Sequence, residues 1–146
     1  MEKEPIVVLR EVIVSPDGIL LIRRSPQERI NPRKWEFPGG KVKKGEFLKN
    51  ALRREREEET RIEGTSIGSL LLLGTKVENA ILPEYAGRLI ITHYILGTKS
   101  KAPEVKLSEE HDAAEWIKNV EQLQHYNVDK KTREIIEKVL EMKIKI

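Results

Sequence analysis

Apolar residues along the chain fall into blocks of two different periods. Ile6 to Val14 is dense in Val and Ile, Ser15-Pro16-Asp17-Gly18 has turn chemistry, and Ile19 to Ile22 is apolar again. That pattern predicts a β-hairpin. Ser25 to Lys34 is mostly polar with two prolines, and irregular backbone is expected through Phe37-Pro38-Gly39-Gly40 until after Gly45. A long ordered loop of this kind is often functional. From Phe47 to about Thr60 there is no Gly or Pro, and Leu48, Ala51 and Leu52 recur at helical spacing, so this stretch is the first expected helix.

Further on, Ile67 to Val77 and Leu89 to Thr98 read as strands joined through Pro83 to Gly87, and therefore as a second antiparallel pair. Lys99 to Ser108 is loop-like, Ala113 to Ile117 is a short strand, and Asp129 to Lys143 is an amphipathic helix with Ile135, Ile136, Val139 and Leu140 on one side. Strands interleaved with one central and one terminal helix imply an α/β (α+β) fold, an α/β/α sandwich with a mixed, partly antiparallel sheet between helices. Neither a repeat nor a linker interrupts it, so one domain over residues 1–146 is expected.

Composition narrows the functional classes. The chain has no cysteine, which excludes a disulfide framework, a thiolate metal site and a cysteine nucleophile. Met1 leads into Glu2, Lys3, Glu4 and Pro5, and no apolar run reaches signal-peptide or membrane-span length. A soluble cytoplasmic protein is the expectation. Net charge is +3 with 35% charged residues, a dense mixture of signs that does not suggest a macromolecular nucleic acid or a membrane as partner. Abundant Lys and Glu resemble the composition of heat-adapted proteins.

Candidate chemistry concentrates in Arg53-Arg54-Glu55-Arg56-Glu57-Glu58-Glu59. On a helix Glu55, Glu58 and Glu59 stand at i, i+3 and i+4, so their carboxylates converge on one face, on or beside the stripe of Leu48, Ala51 and Leu52. Arg53 and Glu57 point away. Clustered like charges beside an apolar stripe oppose ionisation, and a hard divalent cation relieves them. Mg²⁺, with Mn²⁺ as a possible substitute, is held by a few carboxylates together with substrate phosphates. Such a run is also what a solvated, ion-paired helix looks like. Spacing decides between the two: Gly40, five residues, Glu46, seven residues, Arg54, Glu55, two residues, Glu58, Glu59. Six fixed positions would coincide by accident with a probability of about two in ten thousand.

Residues 40–62 so spaced resemble the Nudix box, and the chain is identified as a member of the Nudix hydrolase family. The resemblance implies cleavage of a nucleoside diphosphate derivative by water attack on phosphorus. It implies that Glu55, Glu58 and Glu59 are metal ligands, one of them a base, that the Gly39 carbonyl is a further ligand, and that Arg54 orients the carboxylates. Glu46, at the positive end of the helix, is expected to bond nearby backbone donors. Lys34-Trp35-Glu36-Phe37-Pro38-Gly39-Gly40-Lys41 is most similar to MutT-type enzymes, which convert oxidised purine nucleoside triphosphates such as 8-oxo-dGTP to a monophosphate and pyrophosphate. On that resemblance Arg24 is a substrate arginine, Glu110 a metal contact six residues before Trp116, and Asn127 a reader of the base. An Asn can both donate to and accept from a purine edge, or merely cap a helix.

Trp35 and Phe37 either wall the nucleoside pocket or pack in the core. Arg23 and Arg24 point to opposite sides of a strand, so one can meet phosphate while the other is paired. His93, His111 and His125 lack metal-ligand spacing, and His111, beside Glu110, is the one to watch. Arg56 and Arg61 depart from the box, which has an apolar residue and a glycine there. Arg56 is expected to snorkel or pair with Glu59. Arg61 accepts positive φ less readily than glycine, so the helix is expected to run on towards Gly64. A Nudix enzyme for ADP-ribose, a nucleotide sugar or a dinucleoside polyphosphate, and a catalytically silent nucleotide-binding module, are the rival readings. A homodimer is left open.

Overall fold

The computed structural model describes residues 3–66 and 71–146. The first hairpin forms where the turn chemistry places it: β1 (Ile6–Ser15) and β2 (Gly18–Arg24) pair antiparallel with Val14 opposite Ile19. The expected irregular loop contains two short strands, β3 (Trp35–Glu36) and β4 (Gly39–Lys41). Neither has a sequence signal of its own. β3 pairs with β2 and β4 with β1, so both are strands because a neighbouring strand supplies their hydrogen bonds.

Helix α1 (Leu48–Thr60) follows, then β5 (Leu72–Asn79), β6 (Leu89–Thr98), β7 (His111–Ile117) and α2 (Lys130–Met142). The part of the expected strand at residues 67–70 lies outside the described residues. β5 and β6 are antiparallel across a 3₁₀ turn at Pro83–Tyr85, as the second pair was expected to be. β6 runs parallel to β1 with Ile6 opposite Ile90 and Val14 opposite Thr98. Among the described residues the mixed sheet has the order β3-β2-β1-β6-β5, with β7 added on β2 and β4 on β1.

Both sides of β1 are covered, and its side chains divide by the two-residue period of a strand. Val12 and Val14 share a core with Ile135, Ile136 and Val139 of α2, whereas Leu9 packs with Ala51 and Leu52 of α1. This is the expected α/β/α arrangement. Each fully buried Leu or Ile here contributes about 2 kcal/mol. Leu48 was expected on the α1 stripe but is half-exposed, because it opens the helix before the stripe reaches the sheet.

Both departures from the box resolve differently from expectation. Arg61 takes the left-handed conformation after all, at φ 60°, and its N–H donates to the Glu57 carbonyl, so α1 stops at Thr60 and does not run to Gly64. The strain of one residue is accepted because Ile62 is then buried beside Ile13, Leu20 and Ile22. Replacing Arg61→Gly should therefore stabilise the protein by about 1 kcal/mol or less, since relief of strain is partly offset by a freer unfolded chain. A higher urea midpoint at unchanged slope is the expected reading, and a lower midpoint would sink it.

Arg56 neither snorkels nor pairs with Glu59. Its side chain is 4% exposed and its Nη1 lies 2.8 Å from Oε1 of Glu11, which is 1% exposed. The guanidinium also donates to the carbonyls of Ile62 and Glu63 and to the Thr65 hydroxyl. Glu11 accepts from Thr65 as well. Burial pushes the Glu11 carboxyl up, against Arg56 and Thr65, which pull it down. Arg56 therefore fastens the segment after α1 to the central strand.

Candidate active site

A cavity of about 500 Å³ opens where β1, β2, the 34–41 segment, α1, β6 and the start of α2 meet. Glu55 and Glu59 of α1 both line it. Gly40 lies directly against Glu55, since a Cβ there would stand 2.5 Å from its Oε2. Glu59 is buried and accepts from the Gly39 N–H at 2.7 Å. Burial pushes its carboxyl up to about 7, although Arg10 and the Gly39 N–H favour the charged form. Glu58 sits about 100° further round the helix from Glu59. It is 57% exposed, 3.5 Å from Arg54, and outside the cavity lining. Two of the three convergent carboxylates thus face the cavity.

Arg54 lies behind them. Its Nη1 bonds Glu55 at 2.8 Å, its Nε and Nη2 grip the Glu46 carboxylate, and Nη2 also reaches the Lys41 carbonyl. The Arg54 fork, helped by the Lys43 N–H, holds the Glu46 carboxyl down at about 2. Glu46 was expected near backbone donors at the helix start. It does accept from Lys43, but its main partner is Arg54, and Phe47 occupies the N-cap without a side-chain cap.

Arg24 lines the cavity, bonding the Ile30 carbonyl and Glu36, while Arg23 turns away to Asp112 and lies over the Trp35 ring. Glu36, Phe37 and Gly39 also line the cavity. Trp35 does not: it is buried, with its ring 4.8 Å from that of Tyr126 in the main core. Pro38 is buried too, its carbonyl accepting from the Glu11 N–H, and does not line the cavity. Asn127 is likewise absent from the lining, and its carbonyl accepts from the Trp35 N–H. The side chain brought to the cavity from that connection is Asp129, two residues on, which caps α2 through Thr132.

Asp129 takes the ammonium groups of Lys34 at 2.8 Å and Lys76 at 3.1 Å. Burial opposes its charge, yet Lys34 and Thr132 hold its carboxyl well below the usual range. Tyr94 stands on the same wall, its phenol pushed up to about 12 by burial. Sequence reasoning placed Asp129 only as a helix start, and gave no role to Lys76 or Tyr94. Arg10 was missed as well, because it sits inside an otherwise apolar strand. Its Nη1 bonds the Phe37 and Gly39 carbonyls and lies 3.6 Å from Glu36. The two-residue strand period, which puts Arg10 opposite in direction to Leu9 and Glu11, was the signal available for it.

Glu59, Glu110 and His111 offer three donor atoms all within 4.8 Å of one another. Such carboxylates suit a hard divalent cation, and buried Glu59 is a costly anion without one. The residues present therefore fit a metal ion. Glu55, tied to Arg54, faces the same cavity without belonging to that group.

Glu36 links this centre to the arginines. Burial alone would raise its carboxyl, but Arg10, His111 and Arg24 outweigh it and set it at about 2. Because this folded value lies below the usual 4.5, the stabilisation is fully present above pH 4.5 and is lost as pH falls towards 2. Chemical unfolding with a chelator present should show a loss over that interval that is larger in the wild type than in Glu36→Gln, by an amount approaching roughly 3 kcal/mol. Equal losses in the two proteins would contradict the ionised, buried Glu36.

The model of the NUDIX domain matches residues 7–139. The chain belongs to the Nudix hydrolase family. It is 31% identical over 134 residues to the nucleoside triphosphatase NudI of Escherichia coli O139:H28 (strain E24377A / ETEC), covering 85% of this chain and 89% of that one. Among solved structures, the MutT protein from Methanosarcina mazei Go1 aligns over 99% of both chains at 29% identity with a TM-score of 0.78. The ORF135 protein of E. coli aligns over 97% of this Nudix chain and 91% of its own, at 26% identity and a TM-score of 0.72. As an enzyme, this Nudix hydrolase is a phosphoanhydride hydrolase by family. No helix among its described residues is long and apolar enough to cross a membrane.

Proposed function

We propose that this Nudix hydrolase cleaves a purine nucleoside triphosphate, oxidised forms such as 8-oxo-dGTP included, to the monophosphate and pyrophosphate. The observation that carries the reading is one cavity lined both by the carboxylates Glu55 and Glu59 and by the polar set Asp129, Lys34 and Lys76. Its volume, about 500 Å³, is in the range of small-ligand sites. The name of the NudI relative, a nucleoside triphosphatase, supports the triphosphate part of this reading.

Glu59 and Glu110 would hold a divalent ion, with Glu55 facing the same space. When bound, the metal supplies charge neutralisation for the polyphosphate and polarises its phosphorus–oxygen bonds. Arg24 and Arg10 add fixed positive charge on the cavity wall. Arg54 locks Glu55, and the Gly39 N–H locks Glu59, so neither carboxylate must reorganise during reaction. One of those two accepts the proton of the attacking water. Asp129, kept anionic by two lysines, presents an acceptor beside ammonium donors and fits the edge of a purine better than Asn127.

The test is a substrate panel in Mg²⁺ with product analysis, covering ordinary and oxidised dNTPs, ADP-ribose, a nucleotide sugar and a dinucleoside polyphosphate. Pyrophosphate release from purine nucleoside triphosphates, 8-oxo-dGTP included, is expected. Faster turnover of ADP-ribose or a dinucleotide would replace the substrate assignment. A folded protein inert to every compound would favour a silent binding module.

A further inference from the structure

We infer that His111 is itself a ligand of the divalent ion, giving a mixed nitrogen and oxygen donor set with Glu59 and Glu110 that favours Mn²⁺ over Mg²⁺. The inference rests on the metal-dependent part of the reading above. His93 and His125 stand elsewhere: His93 bonds Thr75, and His125 is exposed. The imidazole of His111 is fully buried, and its two nitrogens have different fates.

Nε2 lies 2.9 Å from Oε2 of Glu36. That carboxylate oxygen is also approached by Arg24 Nη1 at 3.3 Å and Arg10 Nη1 at 3.6 Å. A carboxylate among guanidinium groups can only accept, so the hydrogen of the neutral ring belongs on Nε2. Nδ1 is then a bare lone pair. It is buried without a hydrogen-bond partner among the described residues. Its nearest carboxylate oxygen, Oε2 of Glu59, is 3.8 Å away, beyond hydrogen-bond distance. Two buried acceptors turned towards one another cost free energy unless a proton or a metal ion lies between them, and the third donor, Glu110, is what a metal ion would use.

The Glu110 carboxylate completes the set from the residue before β7, while Glu59 approaches from α1. A carboxylate that holds one imidazole nitrogen so that the other is offered to a metal is a recurrent device for orienting histidine ligands. Mg²⁺ is best served by oxygen, whereas an imidazole ligand improves the site for transition ions. Glu36 is thus a positioning residue, and His111 the group that tilts metal choice.

The deciding measurement is electron spin-echo modulation of the protein loaded with one equivalent of Mn²⁺. The wild type should show ¹⁴N coupling from one imidazole, retained in the double variant His93→Gln/His125→Gln. In His111→Gln it should vanish, with Mn²⁺ binding weakened about tenfold or more and Mg²⁺ binding changed by less than about threefold. Bound Mn²⁺ without nitrogen coupling in the wild type overturns the inference, whether or not His111→Gln folds. Coupling that survives in His111→Gln also overturns it. If Glu59→Gln leaves Mn²⁺ affinity intact, the ion lies elsewhere and the reading of the cavity as a metal centre fails. Dependence on Glu59 without nitrogen coupling would overturn the histidine ligand alone.

Discussion

Glu59→Gln is expected to lower turnover by about 10²–10³-fold or more, the scale on which removal of one fixed electrostatic group acts, while leaving the protein at least as stable as the wild type. The two halves have one cause. Glu59 is a buried anion, pushed up to about 7, and buried charge costs folding free energy. Glutamine has the same shape, and its carbonyl oxygen still accepts from the Gly39 N–H that Glu59 now bonds at 2.7 Å. What it loses is the negative charge facing the cavity. Glu58→Gln is the built-in control, because Glu58 is exposed and outside the lining. Its effect should be smaller by about an order of magnitude or more. Steady-state kinetics at saturating metal, paired with thermal unfolding, checks both variants. Equal losses at the two positions would mean that Glu58 swings into the site, and a large loss of stability in Glu59→Gln would undo the argument.

Arg56→Ala should be the most damaging single change to the fold. It strands Glu11 as an uncompensated carboxylate in the interior and removes donors from the Ile62 and Glu63 carbonyls. Breaking a buried pair from one side costs about 3–5 kcal/mol, or a fall in Tm of about 10 °C or more for a chain of this length. Removing both charges with apolar replacements, Glu11→Leu with Arg56→Met, should cost less than Arg56→Ala alone, because no unpaired ion is left behind. Urea unfolding of the single and double variants tests this. A cost below about 1 kcal/mol for Arg56→Ala would show that water reaches Glu11 and that the pair is not buried in solution.

The two variants locate the limits of sequence reading. Glu59 stands out in sequence because the box spacing singles it out and because helical periodicity puts it beside Ala51 and Leu52. Arg56 was misjudged at the same helix, since a helical wheel gives direction but not the identity of what lies opposite. Glu11 is 45 residues away in the chain, and nothing local to either residue announces the other. Arg61 was misjudged for a related reason. The local cost of a left-handed residue is legible in the sequence, but the burial of Ile62 that outweighs it is not. Trp35 and Asn127 carry plausible chemistry in sequence, yet the ring packs in the core against Tyr126, and Asp129, not Asn127, lines the cavity.

Local information therefore determined what local physics controls in this Nudix hydrolase: the hairpin at Pro16-Asp17, the place of both helices and the span of α2, and the helical register that sets Glu55 beside Glu59. These depend on periods of two and 3.6 residues and on turn chemistry, all contained within a few positions. Only the tertiary structure decided which distant groups meet. β4 is a strand because β1 accepts it, Arg10 enters the cavity because its strand lies beside Gly39, and His111 reaches Glu59 because β7 docks on β2. Such contacts follow from how the whole chain fills its core, and no window of neighbouring residues encodes them.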